Sequence, residues 1–254
     1  MNKQVDPETI ENIYSITVSG QWAHFRRADA TTPKHSYQVI PRTVAAGLVS
    51  AMLGYSRDSY YEYFSVDRTA IGITLNEEIR TQNIAVLELT TSEDEGSFED
   101  IEGDTIEAVY SQEQTLGGRQ RRMLEYLTEP SYTLDIATAH DDLSEDLRQF
   151  INDPRPVYTP YLGTSECLAS IDEAQTHSFE ETNNTEFDSV VPANTADALS
   201  NDTVATERSA VGFEALDVGR KPMGYWSYAY NRSADPISSD AKGYKVEDRT
   251  VYFK

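Results

Sequence analysis

The sequence of 254 residues has one cysteine, six lysines and four histidines, and these small numbers exclude several classes of site. The single thiol, Cys167, cannot form an internal disulfide, and with four scattered histidines it does not make a zinc site. No apolar run approaches the roughly 18 residues that a membrane-spanning helix needs, and the polar N-terminus lacks the apolar core of a signal peptide. We therefore expect a cytoplasmic protein that binds neither metal nor membrane.

Signatures of nucleotide-binding and hydrolytic enzymes are also missing from the sequence. It contains no P-loop, no Gly-x-Ser-x-Gly and no Gly-x-Gly-x-x-Gly motif. His140-Asp141-Asp142 resembles a metal motif only superficially, because both aspartates suit the first turn of a helix, next to the positive end of its dipole. The sequence thus predicts no cofactor.

Negative charge is what the sequence has in excess, with 43 Asp and Glu against 21 Lys and Arg and a net charge of −22. Such acidity ordinarily argues against nucleic-acid binding. However, carboxylates occur in nearly every polar stretch and lysine is scarce, which is typical of cytoplasmic proteins from halophiles. In molar salt the Debye length is about 3 Å. Local clusters of cations, rather than the net charge, then indicate where phosphate binds.

The first cluster of cations lies between Gly20 and Gly54 and is interleaved with aromatic side chains. Its candidate RNA-binding residues are Trp22, His24, Phe25, Arg26, Arg27, Lys34, His35 and Arg42. Aromatic faces stack on unpaired bases, and arginine binds phosphate through two parallel hydrogen bonds. The alternative is that Trp22 and Phe25 belong to the core and that the arginines pair with surface carboxylates.

A second cluster follows the glycine pair Gly117-Gly118 and consists of Arg119, Arg121 and Arg122. It comes directly after a strongly acidic stretch, residues 91–113. One interpretation is a basic loop or hairpin base that contacts RNA or a neighbouring subunit. The other is that these arginines pair with the acidic residues that precede them.

Hydrophobic periodicity predicts an α+β protein. Alternating patterns predict strands at residues 12–20, 70–75, 83–90, 121–127 and 131–138, an extended stretch over residues 156–171, a strand near residues 187–192 and a last strand at residues 249–253. An apolar stripe predicts a helix that Pro41 opens and Gly54 ends, and a second stripe predicts a helix over residues 142–152. The order is that of a ferredoxin-like βαββαβ antiparallel sheet with both helices on one face, the architecture of RNA-recognition domains.

The same pattern divides the chain into two parts. Residues 1–175 form the predicted ferredoxin-like RNA-binding domain, with a hairpin thumb inserted near residues 91–120. Residues 176–254 form a β-rich C-terminal extension that packs on it. No solenoid repeat is present.

Four stretches of the sequence resemble CRISPR-associated proteins of Cas family five, which belong to the repeat-associated RNA-binding (RAMP) superfamily. They are residues 19–26 (SGQWAHFR), 41–54 (PRTVAAGLVSAMLG), 127–134 (LTEPSYTL) and 160–167 (PYLGTSEC). The resemblance implies a ferredoxin-like fold with a hairpin thumb. It also implies a non-catalytic subunit that caps one end of a type I Cascade complex and holds the 5′ handle of the crRNA.

The partners that this resemblance implies are the backbone subunit of Cas family seven and the large subunit of Cas family eight, with target DNA contacted only indirectly. The acidic composition favours the type I-B subtype. One branch of the family, in type I-C systems, cuts precursor crRNA with a Tyr, Lys and His site that follows the first helix. Here no lysine or histidine occurs between His35 and His140, so the match fails.

Two alternatives to the non-catalytic subunit remain open on the sequence alone. The first is a metal-independent endoribonuclease that processes precursor crRNA with His24 or His35, since such chemistry needs a base for the ribose 2′-hydroxyl. The second is an unrelated acidic enzyme of a halophile with a ferredoxin-like core, because a fold alone does not determine function.

Overall fold

The computed structural model describes residues 4–7, 10–27, 35–89, 119–197, 203–216 and 219–254. Up to residue 177 the strands are β1 Ile13–Gly20, β2 Trp22–Ala23, β3 Phe25–Arg26, β4 Ser36–Tyr37, β5 Thr69–Leu75, β6 Thr81–Leu89, β7 Arg119–Thr128, β8 Ser131–Thr138 and β9 Ala169–His177. Helix α1 (Arg42–Leu53) precedes β5, and helix α2 (Asp141–Asn152) precedes β9. Neither helix is long and apolar enough to cross a membrane, among the residues that the structure describes.

The central sheet has the strand order β5-β8-β1-β9, and all of its neighbouring strands are antiparallel. Helices and strands together confirm the α+β class. One face of β1 carries Tyr14, Ile16 and Val18, which pack with residues of α1 and α2 in the largest hydrophobic cluster. The opposite face carries Ile13, which packs with residues of the C-terminal extension. Protein therefore covers both faces of the sheet at β5 and β8 and over most of β1, whereas the edge strand β9 is largely exposed.

Helix α1 begins and ends where the sequence predicts. Pro41 is its N-cap residue, and the carbonyl oxygen of Pro41 accepts hydrogen bonds from the backbone N–H groups of Val44 and Ala45. Gly54 ends the helix with a φ of 87°, in the left-handed region that glycine enters without a steric cost. The predicted helix and its C-terminal glycine are confirmed.

A long hairpin, β6–β7, is inserted between β5 and β8 of the central sheet. Its register runs from Thr81 opposite Leu127 to Leu89 opposite Arg119. The short strand β2 extends this hairpin into a three-stranded sheet by pairing with β7. The two predicted strands are confirmed, whereas most of the predicted thumb region, residues 91–120, lies outside the described residues.

The C-terminal part of the chain consists of short strands. They are β10 Phe179–Thr182, β11 Glu186–Phe187, β12 Val191–Pro192, β13 Val204–Ala210, β14 Phe213–Ala215, β15 Arg220–Pro222, β16 Tyr225–Asn231, β17 Ile237–Ser238, β18 Gly243–Val246 and β19 Arg249–Val251. Trp226, Tyr228 and Tyr230 of β16 share the hydrophobic cluster of the central sheet and its helices. β9 itself extends to His177, so the domain boundary at residue 175 stays a prediction.

Candidate nucleic-acid interface

One contact links the two segments that carry the predicted clusters of cations. Strands β3 and β4 form a small hairpin in which Arg26 lies opposite Ser36. His35 precedes β4, and its Nδ1 atom lies 2.8 Å from Oε2 of Glu125 on β7, the strand that carries the second cluster. This contact joins the β3–β4 hairpin to β7, and we call the cations of the two joined segments, Arg26, Arg27, His35 and Arg121, the basic surface.

The cations of the basic surface differ in their exposure. Arg26 and Arg121 are exposed. Arg27 is half-buried, with its guanidinium 5.4 Å from the ring centroid of Tyr37 and Nη1 4.0 Å from Oε1 of Glu207. Arg26 and Arg121 therefore offer the best access to a phosphate group.

Of the three other predicted arginine and lysine contacts, the structure describes the side chain of Arg122 alone. Arg122 is half-buried and points to the opposite side of β7 from Arg121, because successive side chains of a strand alternate. The backbone of Arg119 pairs with Leu89 at the end of β7, but its side chain lies outside the described residues. Lys34 also lies outside the described residues.

The outer face of the β6–β7 hairpin continues the basic surface. Arg121 lies opposite Leu87, and Met123 lies opposite Ala85. Leu87 is 62% exposed and Met123 is 42% exposed, whereas Leu124 on the other face is buried. Arg121 and Glu125 are four residues apart on β7, which is about 13 Å along a strand. The hairpin thus presents a cation and apolar side chains together to solvent.

His24 and Phe25 do not lie on this surface, which corrects their prediction as RNA contacts. His24 is 2% exposed, and its Nδ1 atom lies 2.8 Å from the carbonyl oxygen of Glu125. Phe25 is 1% exposed and packs 6.0 Å from the ring of Tyr132. Trp22 is half-buried and contacts Tyr126 edge-on at 6.1 Å. These aromatic residues attach the β6–β7 hairpin to the core, as the alternative interpretation of Trp22 and Phe25 expected.

Arg42 is also buried, so its prediction as an RNA contact needs the same correction. It is 2% exposed, and burial lowers the pKa of its guanidinium to about 10. Its nitrogen atoms donate hydrogen bonds to the main-chain oxygen atoms of Phe64 at 2.9 Å, Thr69 at 2.5 Å, Val211 at 2.7 Å and Lys254 at 2.8 Å. Arg42 therefore joins the start of α1 to distant segments of the chain and is unavailable to phosphate.

Gly163 lies directly against the backbone of His24. Its φ is 93°, and a Cβ atom added to it would lie 2.1 Å from the carbonyl oxygen of His24. Gly163→Ala is therefore expected to lower the free energy of unfolding by about 2–3 kcal/mol, because strain and a backbone clash add. Urea unfolding measures this change. Gly212→Ala is the matched control, since no atom lies within 4 Å of its added Cβ, and equal effects of the two substitutions would contradict the assignment.

A polar contact that the sequence analysis missed lies beside Arg27. The carboxylate of Glu207 on β13 is 5% exposed and accepts a hydrogen bond from the backbone N–H of Gln38 at 3.0 Å. Burial raises the pKa of this carboxyl. Gln38 and Glu207 are 169 positions apart, so no local pattern in the sequence could connect them.

Other possible sites on the described residues are acidic or lack ligands. No group of three His, Cys, Asp or Glu side chains there is arranged to hold a metal ion. An open groove of about 490 Å³ is lined by Ser19, Gly20, Glu77, Glu78, Arg80, Thr128, Glu129, Ser131 and Asp172. Its carboxylates disfavour a phosphate ligand, so the basic surface is the better candidate for nucleic acid.

Comparisons with known proteins agree with the resemblance in the sequence. The family described as "CRISPR-associated protein (Cas_Cas5)" matches residues 13–228. A solved chain described as "CRISPR RNA-guided surveillance complex" is 10% identical, with a TM-score of 0.54 over 90% of this chain and 91% of that chain. A "CRISPR protein from Archaeoglobus fulgidus" is 13% identical, with a TM-score of 0.50 over 94% and 98% of the two chains.

At 10% and 13% identity, these similarities show a shared fold and no more than that. None of the curated proteins compared with the chain matches it. The family match covers most of the chain and includes the central sheet, both helices and the two strands of the β6–β7 hairpin. The chain therefore belongs to the Cas5 family of CRISPR-associated proteins.

Proposed function

We propose that this chain is a non-catalytic crRNA-binding subunit of a type I CRISPR Cascade surveillance complex. Its family membership supports this function, and so does its similarity in fold to a chain from an RNA-guided surveillance complex. The single observation that carries the proposal is the contact between His35 and Glu125, which joins the segments of the exposed Arg26 and Arg121 in a chain whose net charge is −22.

We also infer that the core is a ferredoxin-like βαββαβ unit with the β6–β7 hairpin as its thumb. The core elements follow the chain order β1, α1, β5, β8, α2, β9. The sheet order β5-β8-β1-β9 places the first and third strands of this unit in the centre, as in a split βαβ arrangement. The thumb then interrupts the connection between the second and third strands.

In this proposal the basic surface holds the 5′ handle of the crRNA. Exposed arginines bind phosphate, and Trp22, which is half-buried, keeps part of its ring exposed for stacking on a base. The proposed partners are the backbone subunit of Cas family seven and the large subunit of Cas family eight, with target DNA reached only through the complex. The acidic composition and the scarcity of lysine favour a type I-B complex in the cytoplasm of a halophile.

Arg26→Ala and Arg121→Ala are each expected to weaken binding of a labelled CRISPR-repeat RNA about fivefold to tenfold. Each exposed arginine that contacts a phosphate adds about 0.7 to the salt slope of single-strand binding, so both variants are also expected to flatten that slope. Fluorescence anisotropy from 0.3 M to 2 M KCl measures both quantities. Arg148→Ala is the matched control, because Arg148 is an exposed arginine on α2 outside the basic surface. Unchanged RNA affinity in both basic-surface variants would contradict the proposal.

The same RNA separates this function from endoribonuclease activity. His24 is buried against Glu125, and His35 is half-exposed with Glu125 as its partner. The proposal expects the repeat RNA to remain intact when it is incubated with the protein in EDTA and molar KCl. Specific cleavage inside the repeat that is lost in His35→Ala would replace the non-catalytic function by crRNA processing.

A further inference from the structure

Gln38, between β4 and α1, accepts hydrogen bonds from the central sheet and from the C-terminal extension. Its backbone carbonyl accepts a hydrogen bond from the Tyr132 hydroxyl on β8 at 3.0 Å. Its side-chain oxygen accepts hydrogen bonds at 3.0 Å from the Tyr230 hydroxyl and from Nε of Arg232. Gln38 directly follows β4, which pairs with the strand that carries Arg26. The position of Gln38 therefore fixes the position of β4, the second strand of the β3–β4 hairpin.

Glu207 completes these contacts from the C-terminal extension. Its Oε1 and Oε2 atoms accept the backbone N–H of Gln38 at 3.0 and 3.2 Å, and Oε2 accepts the N–H of Val39 at 3.4 Å. The Tyr228 hydroxyl, directly opposite on β16, donates to Oε2 at 3.2 Å. Arg27 faces the carboxylate from the basic surface at 4.0 Å.

We infer that Glu207 is a positioning residue for RNA binding, and that the C-terminal extension acts through it to fix the β3–β4 hairpin. This inference rests on the proposed function. A buried carboxylate that accepts backbone N–H groups is a strong and directional anchor. Without it, the half-buried Gln38 and the buried Val39 lose the acceptor of their N–H groups, and the segment from His35 to Val39 gains freedom that RNA binding must then remove.

The effect on RNA is transmitted through strand pairing and through Arg27. Ser36 and Tyr37 pair with Arg26 and Phe25, so a shift of β4 moves the backbone that presents Arg26. Tyr37 also lies beneath the guanidinium of Arg27. One acceptor in the C-terminal extension thus controls the placement of Arg26 and Arg27.

The test compares Glu207→Ala with Glu207→Gln in the full-length protein. Both substitutions remove the negative charge, but glutamine keeps a side-chain oxygen that can accept the Gln38 N–H. Tyr228 can then accept a hydrogen bond from the new amide. We expect Glu207→Ala to weaken binding of the labelled repeat RNA about tenfold, a loss comparable to one buried acceptor, and Glu207→Gln to stay within about twofold of the wild type.

RNA affinity is measured well below each variant's melting temperature, so that only folded protein contributes. Hydrogen exchange is expected to accelerate at the amides of Gln38 and Val39 in Glu207→Ala, while protection of β1 and β8 is unchanged. Glu207→Leu fills the space without an acceptor and is expected to behave as Glu207→Ala does, which keeps the test valid if the alanine variant does not fold. Thr206→Ala, at the exposed neighbouring position of β13, is the control and should bind RNA as the wild type does.

Wild-type RNA affinity in folded Glu207→Ala or Glu207→Leu would overturn the inference, even with a lower melting temperature. Equal losses in Glu207→Gln and Glu207→Ala would also overturn it, because the effect would then come from charge rather than from the acceptor. Arg121→Ala separates these results from a failure of the proposed function. A loss of affinity in Arg121→Ala without a loss in the Glu207 variants leaves the proposed function standing. Wild-type affinity in Arg26→Ala, in Arg121→Ala and in the Glu207 variants removes both the proposed function and the inference.

Discussion

Arg42→Ala is expected to lower the free energy of unfolding by about 3–5 kcal/mol, a large part of the 5–15 kcal/mol that stabilises a typical protein. The guanidinium is buried and donates to four main-chain oxygen atoms. Truncation removes the donor from all of them and leaves a cavity where four segments of the chain meet. The loss therefore exceeds that of one ordinary hydrogen bond.

Urea denaturation followed by circular dichroism measures the effect of Arg42→Ala. Arg148→Ala is the control, because Arg148 is 60% exposed and pairs with Glu145 on the surface, where such pairs contribute about 0–1 kcal/mol. Arg42→Lys is expected to recover only part of the stability, because an ammonium group has three donors and lacks the planar fork of arginine. Wild-type stability together with weakened RNA binding in Arg42→Ala would return Arg42 to the list of RNA contacts.

Arg42 illustrates what the sequence cannot predict about the site. An arginine at the start of a helix, beside a basic-aromatic stretch, has the pattern of a surface cation. Its acceptors lie 22, 27, 169 and 212 residues away along the chain, and only the packed structure brings them together. The buried position of Phe25 has a similar cause, because an aromatic side chain suits a stacking surface and a core equally well.

Local features were more predictable because they depend on residues close in sequence. The α1 helix follows from its apolar stripe, Pro41 and Gly54, each of which acts within a few residues. The strands of the β6–β7 hairpin follow from alternation of side chains on opposite faces. The sequence also identified the exposed cations Arg26 and Arg121, but not that His35 and Glu125 join their two segments.

The contacts of the C-terminal extension are the part of the structure that the sequence predicts least. One of them, between Asp135 and Arg249, is expected to have the second large effect on stability. Asp135 on β8 is fully buried, and Nη2 of Arg249 on β19 lies 2.8 Å from its Oδ1 atom. The hydroxyl of Ser15 donates to the same carboxylate at 2.5 Å. This pair joins the central sheet to the extension, through the sheet face that carries Ile13.

Arg249→Ala is expected to lower the free energy of unfolding by about 3–5 kcal/mol, because it leaves the carboxylate of Asp135 buried without its counter-ion. The double variant Asp135→Ala/Arg249→Ala is expected to lose less than the sum of the two single variants, since the second substitution removes the unpaired charge. Urea denaturation of the four proteins measures this coupling energy. Additive losses would contradict the assignment of a buried, coupled pair.

Salt concentration distinguishes this buried ion pair from an exposed one. Molar KCl shortens the Debye length to about 3 Å and screens exposed charges, but it screens buried pairs much less. The coupling between Asp135 and Arg249 is therefore expected to persist from 0.15 M to 2 M KCl, whereas any coupling between Glu145 and Arg148 should vanish. If the buried pair keeps its coupling in molar salt, the extension stays attached to the central sheet under the high-salt conditions that we propose for this protein. Glu207, which belongs to the same extension, can then hold the β3–β4 hairpin in place at that salt concentration.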